Sequence, residues 1–556
     1  MPAKEDLTQA ERDKIEIGPD FDFREIAKRP FESLSTNEIA MFKWSGIYHQ
    51  LQKGFFMIRL RLPGGVMNAE QLHRASELAE TYGQDRMCIT TRQTLQYHWI
   101  RQQDLYKIQE GVEEVGLDTR NACGDVNRNV VSCALVGVCP HEVTDTLAVI
   151  DRLANDDELL NVQRNLPKKH KISVGGCGRA CAQTLMNCQG WHPVTREVDG
   201  KSVVGWRYYA GGGLGARPYI AKRIFDWVPD ELILPVTQAA VEAYRRLGNR
   251  RVRAFARLKV VVDKLGAKGF GEKVIEIMHE RGDTETDAIE FAVDGPDIGD
   301  SFLQGQIVIE QKQPGFNSVR VMIPRGELTG GQGHKLADLA EQFGDGTIAY
   351  TNRQNILFRF VPDAKVDGLL IELRAMGWDL ESQDRLPDAV ACVGITMCNL
   401  AVADTPATYE AIMRELTADK AWWEKIGPLN INMSGCPNNC TQAWVHDIGL
   451  RGIRKREEVG SDEGFSLYVG GTLAEGGKIG DYVCDIFGPE VVETLRTVLS
   501  IYLDERQDIE SFGTYARRVG GDAIREKLIR AAAEGQPVNE RNLELNSIYK
   551  QAAGLI

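Results

Sequence analysis

The 556-residue sequence lacks several features that would place it in other classes of protein. It has no apolar run long enough to span a bilayer and no basic segment followed by the apolar stretch of a signal peptide. No glycine-rich turn forms a dinucleotide-binding loop, because the run Gly211–Gly213 lacks the spacing and the acidic partner. The net charge of −13 argues against a nucleic-acid binder. We therefore expect a cytoplasmic protein that binds neither membrane nor nucleic acid.

Twelve cysteines are present, and eight of them form two identical spacing patterns. The pattern C-x5-C-x37-C-x3-C occurs twice, 259 residues apart, at Cys133, Cys139, Cys177 and Cys181 and at Cys392, Cys398, Cys436 and Cys440. Thiolates at such spacings are soft ligands suited to an iron–sulfur cluster, whereas zinc sites more often use CxxC knuckles. The alternative is a set of buried core thiols, which the repeated spacing disfavours. The pattern indicates a duplicated redox protein.

The repeat extends beyond the cysteines. GFFMIRLRLPGG from Gly54 matches GFNSVRVMIPRG from Gly315, and Arg92 matches Arg353, each at an offset of 261 residues. Each copy begins with an alternating apolar run typical of a strand, continues with a helical stretch and returns to a strand. The offset then falls to 259 and stays there to Leu214 and Leu473. We predict an α+β unit, internally duplicated, with a related cluster-type domain after each copy.

Seven motifs, in order along nearly the whole chain, resemble those of the siroheme-containing sulfite and nitrite reductases. They are RLRLPGG (59–65), TTRQTLQ (90–96), DVNRNVV (125–131), LPKKHK (166–171), GGGL (211–214), CVGITMC (392–398) and GCPNNC (435–440). The resemblance implies a pseudo-twofold pair of ferredoxin-like units, with two mixed α/β domains that hold siroheme between them.

The repeat and the resemblance together predict the following division of the chain. Residues 1–45 form an N-terminal arm, 46–122 the first ferredoxin-like unit, 123–274 the first siroheme-facing α/β domain, 275–300 an acidic linker, 301–385 the second ferredoxin-like unit, 386–504 the cluster- and siroheme-ligating α/β domain, and 505–556 a helical closure.

The resemblance also implies roles for individual residues. Cys392, Cys398, Cys436 and Cys440 would hold a 4Fe–4S cluster, and Cys440 would also ligate the siroheme iron. Substrate oxyanions would bind Arg59, Arg128, Lys169 and Lys171, since clustered cations hold the charge and lysine can also release a proton. Arg92, Gln96, Arg257 and Asn438 match positions that contact siroheme. An isolated strand arginine such as Arg59 would ordinarily be a solvated surface residue.

The first cysteine set leaves two alternatives open. Cys133, Cys139, Cys177 and Cys181 bind a second cluster, or they are inherited thiols without metal. A second siroheme is not expected, because the offset of 259 carries Lys169 to Pro428 and Lys171 to Asn430. Cys123 and Cys188 are expected to be buried free thiols.

The function that the resemblance implies is the six-electron reduction of sulfite to sulfide. The first alternative is reduction of nitrite to ammonia on the same cofactors, and Lys171 favours sulfite because many nitrite-type relatives have asparagine at that position. The second alternative is a non-catalytic electron carrier or redox sensor, against which the complete set of cations argues. We expect the electrons to come from another protein, a ferredoxin or a flavoprotein subunit.

Overall fold

The computed structural model describes residues 6–293, 298–301, 303, 305–456, 461–488 and 490–533. The chain divides into two compact units. Unit 1 contains Met1–Gly213, Tyr219–Phe302 and Ile307–Trp378, and unit 2 contains Leu214–Pro218, Leu303–Gln306 and Asp379–Ile556. Over the described ranges, no helix has the length and apolar character needed to cross a membrane.

Three short helices open unit 1. They are α1 (Gln9–Glu16), α2 (Phe23–Lys28) and α3 (Thr36–Met41). Each begins after a polar residue whose side chain accepts a backbone N–H of the first turn. Lys14 of α1 is buried and forms ion pairs with Glu11 at 2.6 Å and with Asp125 at 3.0 Å. These buried charges tie the polar N-terminal segment to the domain that follows the first ferredoxin-like unit.

The first copy of the strand–helix–strand repeat follows α3. Its elements are β1 (Ile47–His49), β2 (Phe55–Arg59), β3 (Val66–Asn68), α4 (Ala69–Tyr82), β4 (Met87–Ile89), β5 (Leu95–Arg101) and α5 (Leu105–Glu113). Asn68 forms a capping box with Gln71, which starts α4 directly after β3.

The first α/β domain consists of a five-stranded sheet with long helices packed against it. Its elements are α6 (Thr146–Ala154), β6 (Ile172–Val174), β7 (Gln189–Val198), β8 (Lys201–Ala210), β9 (Lys222–Pro229), α7 (Ile233–Leu247), α8 (Leu258–Glu280) and β10 (Glu290–Phe291). The sheet order is β10-β9-β8-β7-β6, with β6 and β7 parallel and the other pairs antiparallel. Helix α8 continues to Glu280, so the first six residues of the predicted linker are helical.

The second copy of the repeat has the same element order. It contains β11 (Val308–Glu310), β12 (Phe316–Val321), β13 (Glu327–Leu328), α9 (Gly330–Phe343), β14 (Thr347–Tyr350), β15 (Ile356–Pro362) and α10 (Val366–Ala375). The two sheets exchange one short strand each: β13 pairs with β4, and β3 pairs with β14. Helices α4 and α9 also meet, with His73 Nδ1 2.8 Å from His334 Nδ1, and these two residues are 261 positions apart. The predicted duplication is thus confirmed, and the exchange locks the two copies together.

Unit 2 contains the second α/β domain. Its elements are β16 (Val390–Ala391), α11 (Gly394–Met397), α12 (Thr405–Leu416), α13 (Lys420–Glu424), β17 (Ile431–Ser434), β18 (Ile448–Arg456), β19 (Ser461–Val469), β20 (Asp481–Phe487), α14 (Glu490–Glu505), α15 (Phe512–Val519) and α16 (Gly521–Ala533). The sheet order is β16-β17-β18-β19-β20, and the first three strands are parallel. Helices α15 and α16 lie in the predicted closure, whose residues 534–556 lie outside the described part of the chain.

Candidate active site and cluster-binding loops

Six basic residues from separate parts of unit 1 lie near one another, because the charges of the other five act on Arg92 or on Lys171. They are Arg59, Arg92, Arg128, Lys169, Lys171 and Arg257. All four residues predicted to bind substrate are in this set, together with two predicted to contact siroheme. The structure therefore brings together side chains that are up to about two hundred residues apart in sequence.

Arg59 ends β2 and lies directly opposite Gln96 on β5. Its Nη2 donates to Gln96 Oε1 at 2.9 Å, and its Nη1 lies 3.5 Å from the thiol sulfur of Cys123. Gln96 Nε2 in turn lies 3.0 Å from His98 Nε2. These contacts fix the direction of the guanidinium, so Arg59 is not the solvated strand residue that its position alone would suggest.

Arg128 is held by the loop that precedes it. Its Nε and Nη2 donate to Gly124 O at 3.0 and 2.9 Å, and Nη2 also donates to Tyr48 Oη at 3.1 Å. Tyr48 lies on β1, and burial raises the pKa of its phenol. A phenol that stays protonated at neutral pH can donate a hydrogen bond as well as accept the one from the arginine.

Lys169 and Lys171 lie on the extended segment that leads into β6. His170, between the two lysines, forms a parallel β-bridge with Asn127 and is completely buried, while both lysines are half-buried. Because side chains alternate along an extended chain, the two ammonium groups lie on the side opposite His170. Burial, followed by the charges of Arg92 and Lys169, lowers the pKa of Lys171 well below its ordinary value. Lys171 is therefore a cation that gives up a proton readily.

Arg92 and Arg257 present buried N–H groups that fit an anionic cofactor. Arg92 donates to Asn187 Oδ1 at 2.8 Å and to Asn129 O at 2.6 Å, and Arg257 Nη2 lies 3.3 Å from the Cys188 sulfur. The Nε of each arginine is buried and has no hydrogen-bond partner. Burial and neighbouring cations lower the pKa of Arg92 to about 9. A polycarboxylate such as siroheme would supply the missing acceptors and the missing negative charge.

The second cysteine set lies on two loops of unit 2, one after β16 and one after β17. Cys392 Sγ accepts the backbone N–H of Gly435 at 3.1 Å, and Cys436 Sγ accepts that of Asn438. Burial, and then the neighbouring thiols Cys440, Cys392 and Cys398, raise the pKa of Cys436 to about 12. Backbone N–H donors aimed at cysteine sulfurs suit a negatively charged iron–sulfur cluster.

Close packing of the two loops depends on Gly435. A Cβ at this position would lie 2.9 Å from Ala403 O, so only glycine lets the loops approach. Cys440 is the exposed member of the set, and Asn438 beside it is also exposed. No three His, Cys, Asp or Glu side chains in the described ranges are placed as ligands of one metal ion. In a 4Fe–4S cluster each thiolate binds a different iron atom, so the four sulfurs surround the cluster.

Several residues around the cations were not predicted as site residues. Asn129 and Asp125 lie inside the DVNRNVV motif, so the motif itself was the available signal. Asn129 Nδ2 donates to Leu62 O at 2.8 Å, and Asp125 forms ion pairs with Lys14 and with Arg253 at 2.9 Å. Nothing in the sequence around Tyr48 marks it, because its role depends on Arg128, 80 residues away.

The basic stretch from Tyr244 to Lys259 is largely neutralised within the chain. Arg245, Arg246, Arg250, Arg251 and Arg253 form ion pairs with Glu242, Glu242, Glu11, Asp6 and Asp125, respectively. These arginines therefore support the packing of α7 and of the N-terminal segment.

Comparison with known proteins shows the family to which the chain belongs. The family model described as the nitrite and sulphite reductase 4Fe-4S domain matches residues 123–281 and 382–535. The ferredoxin-like half domain of nitrite and sulfite reductases matches residues 48–115 and 309–376. The chain belongs to the nitrite and sulfite reductase family. Siroheme and a 4Fe–4S cluster are the cofactors of this nitrite/sulfite reductase family member, and the arginine and cysteine environments described above fit them.

Individual relatives of this nitrite/sulfite reductase carry both substrate names. An assimilatory ferredoxin-dependent nitrite reductase of Haloferax mediterranei is 30% identical and covers 90% of this chain and 89% of its own. A sulfite reductase [ferredoxin] of Mycolicibacterium paratuberculosis is 29% identical over 94% of this chain and 97% of its own. The solved structure of the NirA protein of Mycobacterium tuberculosis matches with a TM-score of 0.81 at 27% identity, over 93% of this chain and 98% of that one.

Proposed function

We propose that this protein is a sulfite reductase that converts sulfite to sulfide with electrons from a ferredoxin. The proposal rests on the position of Lys171, which is half-buried beside Lys169 and lies close to Arg92, Arg128 and Arg257. Sulfite carries more negative charge than nitrite at neutral pH, so an additional cation stabilises it more.

The basic residues have distinct tasks in this proposal. Arg59 and Arg128 are oriented by Gln96 and by Gly124 and Tyr48, so their planar donor groups can hold substrate oxygens in a fixed direction. Lys171, whose pKa is lowered, can hold the anion and then deliver one of the two protons that an oxygen needs to leave as water. When bound, siroheme and the 4Fe–4S cluster supply the electrons. The thiols Cys392, Cys398, Cys436 and Cys440 would hold the cluster, and Cys440 would connect it to siroheme.

The ferredoxin donor is proposed from the names of the relatives, which are called ferredoxin-dependent or [ferredoxin] enzymes. The cytoplasmic location and the domain boundaries stay predictions from the sequence.

Nitrite reduction to ammonia is the second candidate. The observation that favours it is the 30% identical Haloferax relative, which is named a nitrite reductase. The same cations would serve, with Lys171 less important for the singly charged substrate.

The test is anaerobic turnover of the holoenzyme with reduced methyl viologen, measuring sulfide formed from sulfite and ammonia formed from nitrite. We expect a higher kcat/KM for sulfite. A higher kcat/KM for nitrite would replace the proposal by the second candidate. No product from either substrate, with siroheme and cluster both present, would leave the non-catalytic electron carrier as the function.

A further inference from the structure

The two cysteine sets share their supporting backbone as well as their spacing. In unit 1, Val131 pairs in parallel with Ser173, and in unit 2 Val390 pairs in parallel with Asn432. Each member of the second pair lies 259 residues after its counterpart. The first cysteine of each set therefore follows the same point of the same strand pairing.

The hydrogen bonds that join the two loops are also duplicated. Val143 N–H donates to Gly176 O at 3.0 Å, and Val402 N–H donates to Gly435 O at 2.7 Å, again with an offset of 259 residues. If the first set of cysteines had lost its ligand, nothing would require the contacts between its two loops to keep matching those of the second set. Their retention indicates that the first pair of loops still has to hold its cysteines in place.

In each set, a side-chain hydrogen bond closes the loop that carries the last two cysteines. The bond is at the same position in both copies, but a different residue type donates it. Ser173 Oγ donates to Ala182 O at 2.5 Å, and Asn432 Nδ2 donates to Thr441 O at the same distance. Ala182 and Thr441 are each the residue after the last cysteine of their set. A different side chain therefore makes the same closure in each copy.

The four thiols of the first set meet one another. Cys133 is hydrogen bonded to Cys181 and Cys139 to Cys177, so each loop supplies two thiols and each pair joins the two loops. Cys133 Sγ also accepts the N–H of Leu135 at 3.5 Å. This arrangement has both the ligand count and the N–H donors of the second set.

The second half of the sequence does not carry the basic residues that would bind a siroheme beside this first set of cysteines. The offset of 259 carries Arg128 to Pro387, and it carries Lys169 and Lys171 to Pro428 and Asn430. Cys181 Sγ contacts Ser301 Oγ at 3.2 Å, whereas Cys440 is exposed. A cluster here would therefore stand alone.

We propose that Cys133, Cys139, Cys177 and Cys181 bind a second 4Fe–4S cluster that is not joined to siroheme. Each thiol loses its proton when it binds iron, so the site holds four thiolates. The inference does not depend on whether sulfite or nitrite is the substrate.

The experiment counts iron and acid-labile sulfide in the full-length protein, purified anaerobically and reconstituted with iron and sulfide. Two clusters and one siroheme give about nine iron atoms and about eight sulfides per chain, against about five and about four for one cluster. The double variant Cys139→Ala/Cys177→Ala should lose about four sulfides and should keep the siroheme absorbance. Electron paramagnetic resonance of the reduced protein should lose one cluster signal in this variant.

Cys484→Ala is the matched control, because Cys484 is a buried thiol outside both sets. It should leave both counts unchanged. A wild-type count of about four sulfides would overturn the proposal, and so would a double variant with the wild-type count. Mass-spectrometric detection of Cys133–Cys181 and Cys139–Cys177 disulfides in the protein as purified would also overturn it. If the double variant does not fold, the wild-type count decides.

Discussion

The two cysteine sets are alike in their supporting strands and unlike at their last cysteine. Cys440 in unit 2 is exposed, whereas Cys181 in unit 1 is half-buried and contacts Ser301. The strand pairings and loop hydrogen bonds that precede these residues match at an offset of 259 residues. The duplication therefore kept the loops that position the thiols, while the surroundings of the last cysteine differ between the two sets.

The basic residues differ between the halves more than the cysteines do. Arg59 has the counterpart Arg320, but Arg128, Lys169 and Lys171 have none. Only the first half therefore carries the complete set of cations proposed to bind the substrate. Replacing a residue in one half, and comparing the effect with that at its counterpart or at a neighbour, tests these differences.

The largest effect is expected at the last cysteine of each set. Cys440→Ser should abolish nearly all reductase activity and remove the coupled siroheme spectrum, because a hydroxyl replaces the thiolate proposed to join the two cofactors. Cys181→Ser should keep the siroheme absorbance and at most lower the cluster iron. Optical spectra and methyl viologen turnover measure both. Normal siroheme absorbance and turnover in Cys440→Ser would remove this residue from its proposed role.

Asp125 and the residue 259 positions later, Asp384, provide a comparison of stability. Asp125 is buried between Lys14 and Arg253, whereas Asp384 accepts the backbone N–H of Gly305 at 3.1 Å. Asp125→Asn removes the carboxylate between Lys14 and Arg253, but Lys14 keeps its ion pair with Glu11, so the free energy of unfolding should fall by about 3 kcal/mol, the low end for breaking a buried ion pair.

Asp384→Asn is the matched control for this loss. Its amide oxygen can still accept the N–H of Gly305, so weakening this hydrogen bond should cost no more than about 1 kcal/mol. Urea unfolding at pH 7 measures both variants. Equal losses would show that the ion pairs around Asp125 do not determine the stability of this region.

The same ion pairs predict a pH dependence. Burial alone would raise the pKa of Asp125, but Lys14 and Arg253 outweigh burial and lower this pKa. A lowered carboxyl pKa contributes stability above the ordinary value of about 3.9 and loses it as the pH falls through the lowered pKa. The difference in unfolding free energy between wild type and Asp125→Asn should therefore shrink as the pH falls below about 4. A constant difference from pH 7 to pH 3 would contradict this origin of the stability.

Much of the fold could be predicted from the sequence, because both the cysteine spacing and the alternating apolar runs show the repeat. The exchange of β3 and β13 between the two ferredoxin-like sheets could not, since strands of two or three residues carry no periodic pattern. At the site, the motifs led to Arg59 and Arg128 but not to Tyr48, the hydrogen-bond partner of Arg128. The ion pair of Lys14 with Asp125 could not be predicted either, because pairing between charges far apart in sequence leaves no local sequence pattern.

Substrate preference is the central claim, and Lys171→Asn tests it most directly. This substitution gives the first half the residue that the second half has at the equivalent position, Asn430. Removing one charge-assisted hydrogen bond costs roughly 1.5–3 kcal/mol, or about ten- to a hundredfold in rate. The neighbouring Lys168→Asn is the control, because the Lys168 ammonium contacts Arg253 O at 3.5 Å.

The measurement is kcat/KM for sulfite and for nitrite in wild type, Lys171→Asn and Lys168→Asn, with reduced methyl viologen as the donor. The account predicts that Lys171→Asn lowers kcat/KM for sulfite by about ten- to a hundredfold and lowers kcat/KM for nitrite much less. Lys168→Asn should leave kcat/KM unchanged for both substrates. Equal losses for the two substrates, or no loss for sulfite, would contradict it.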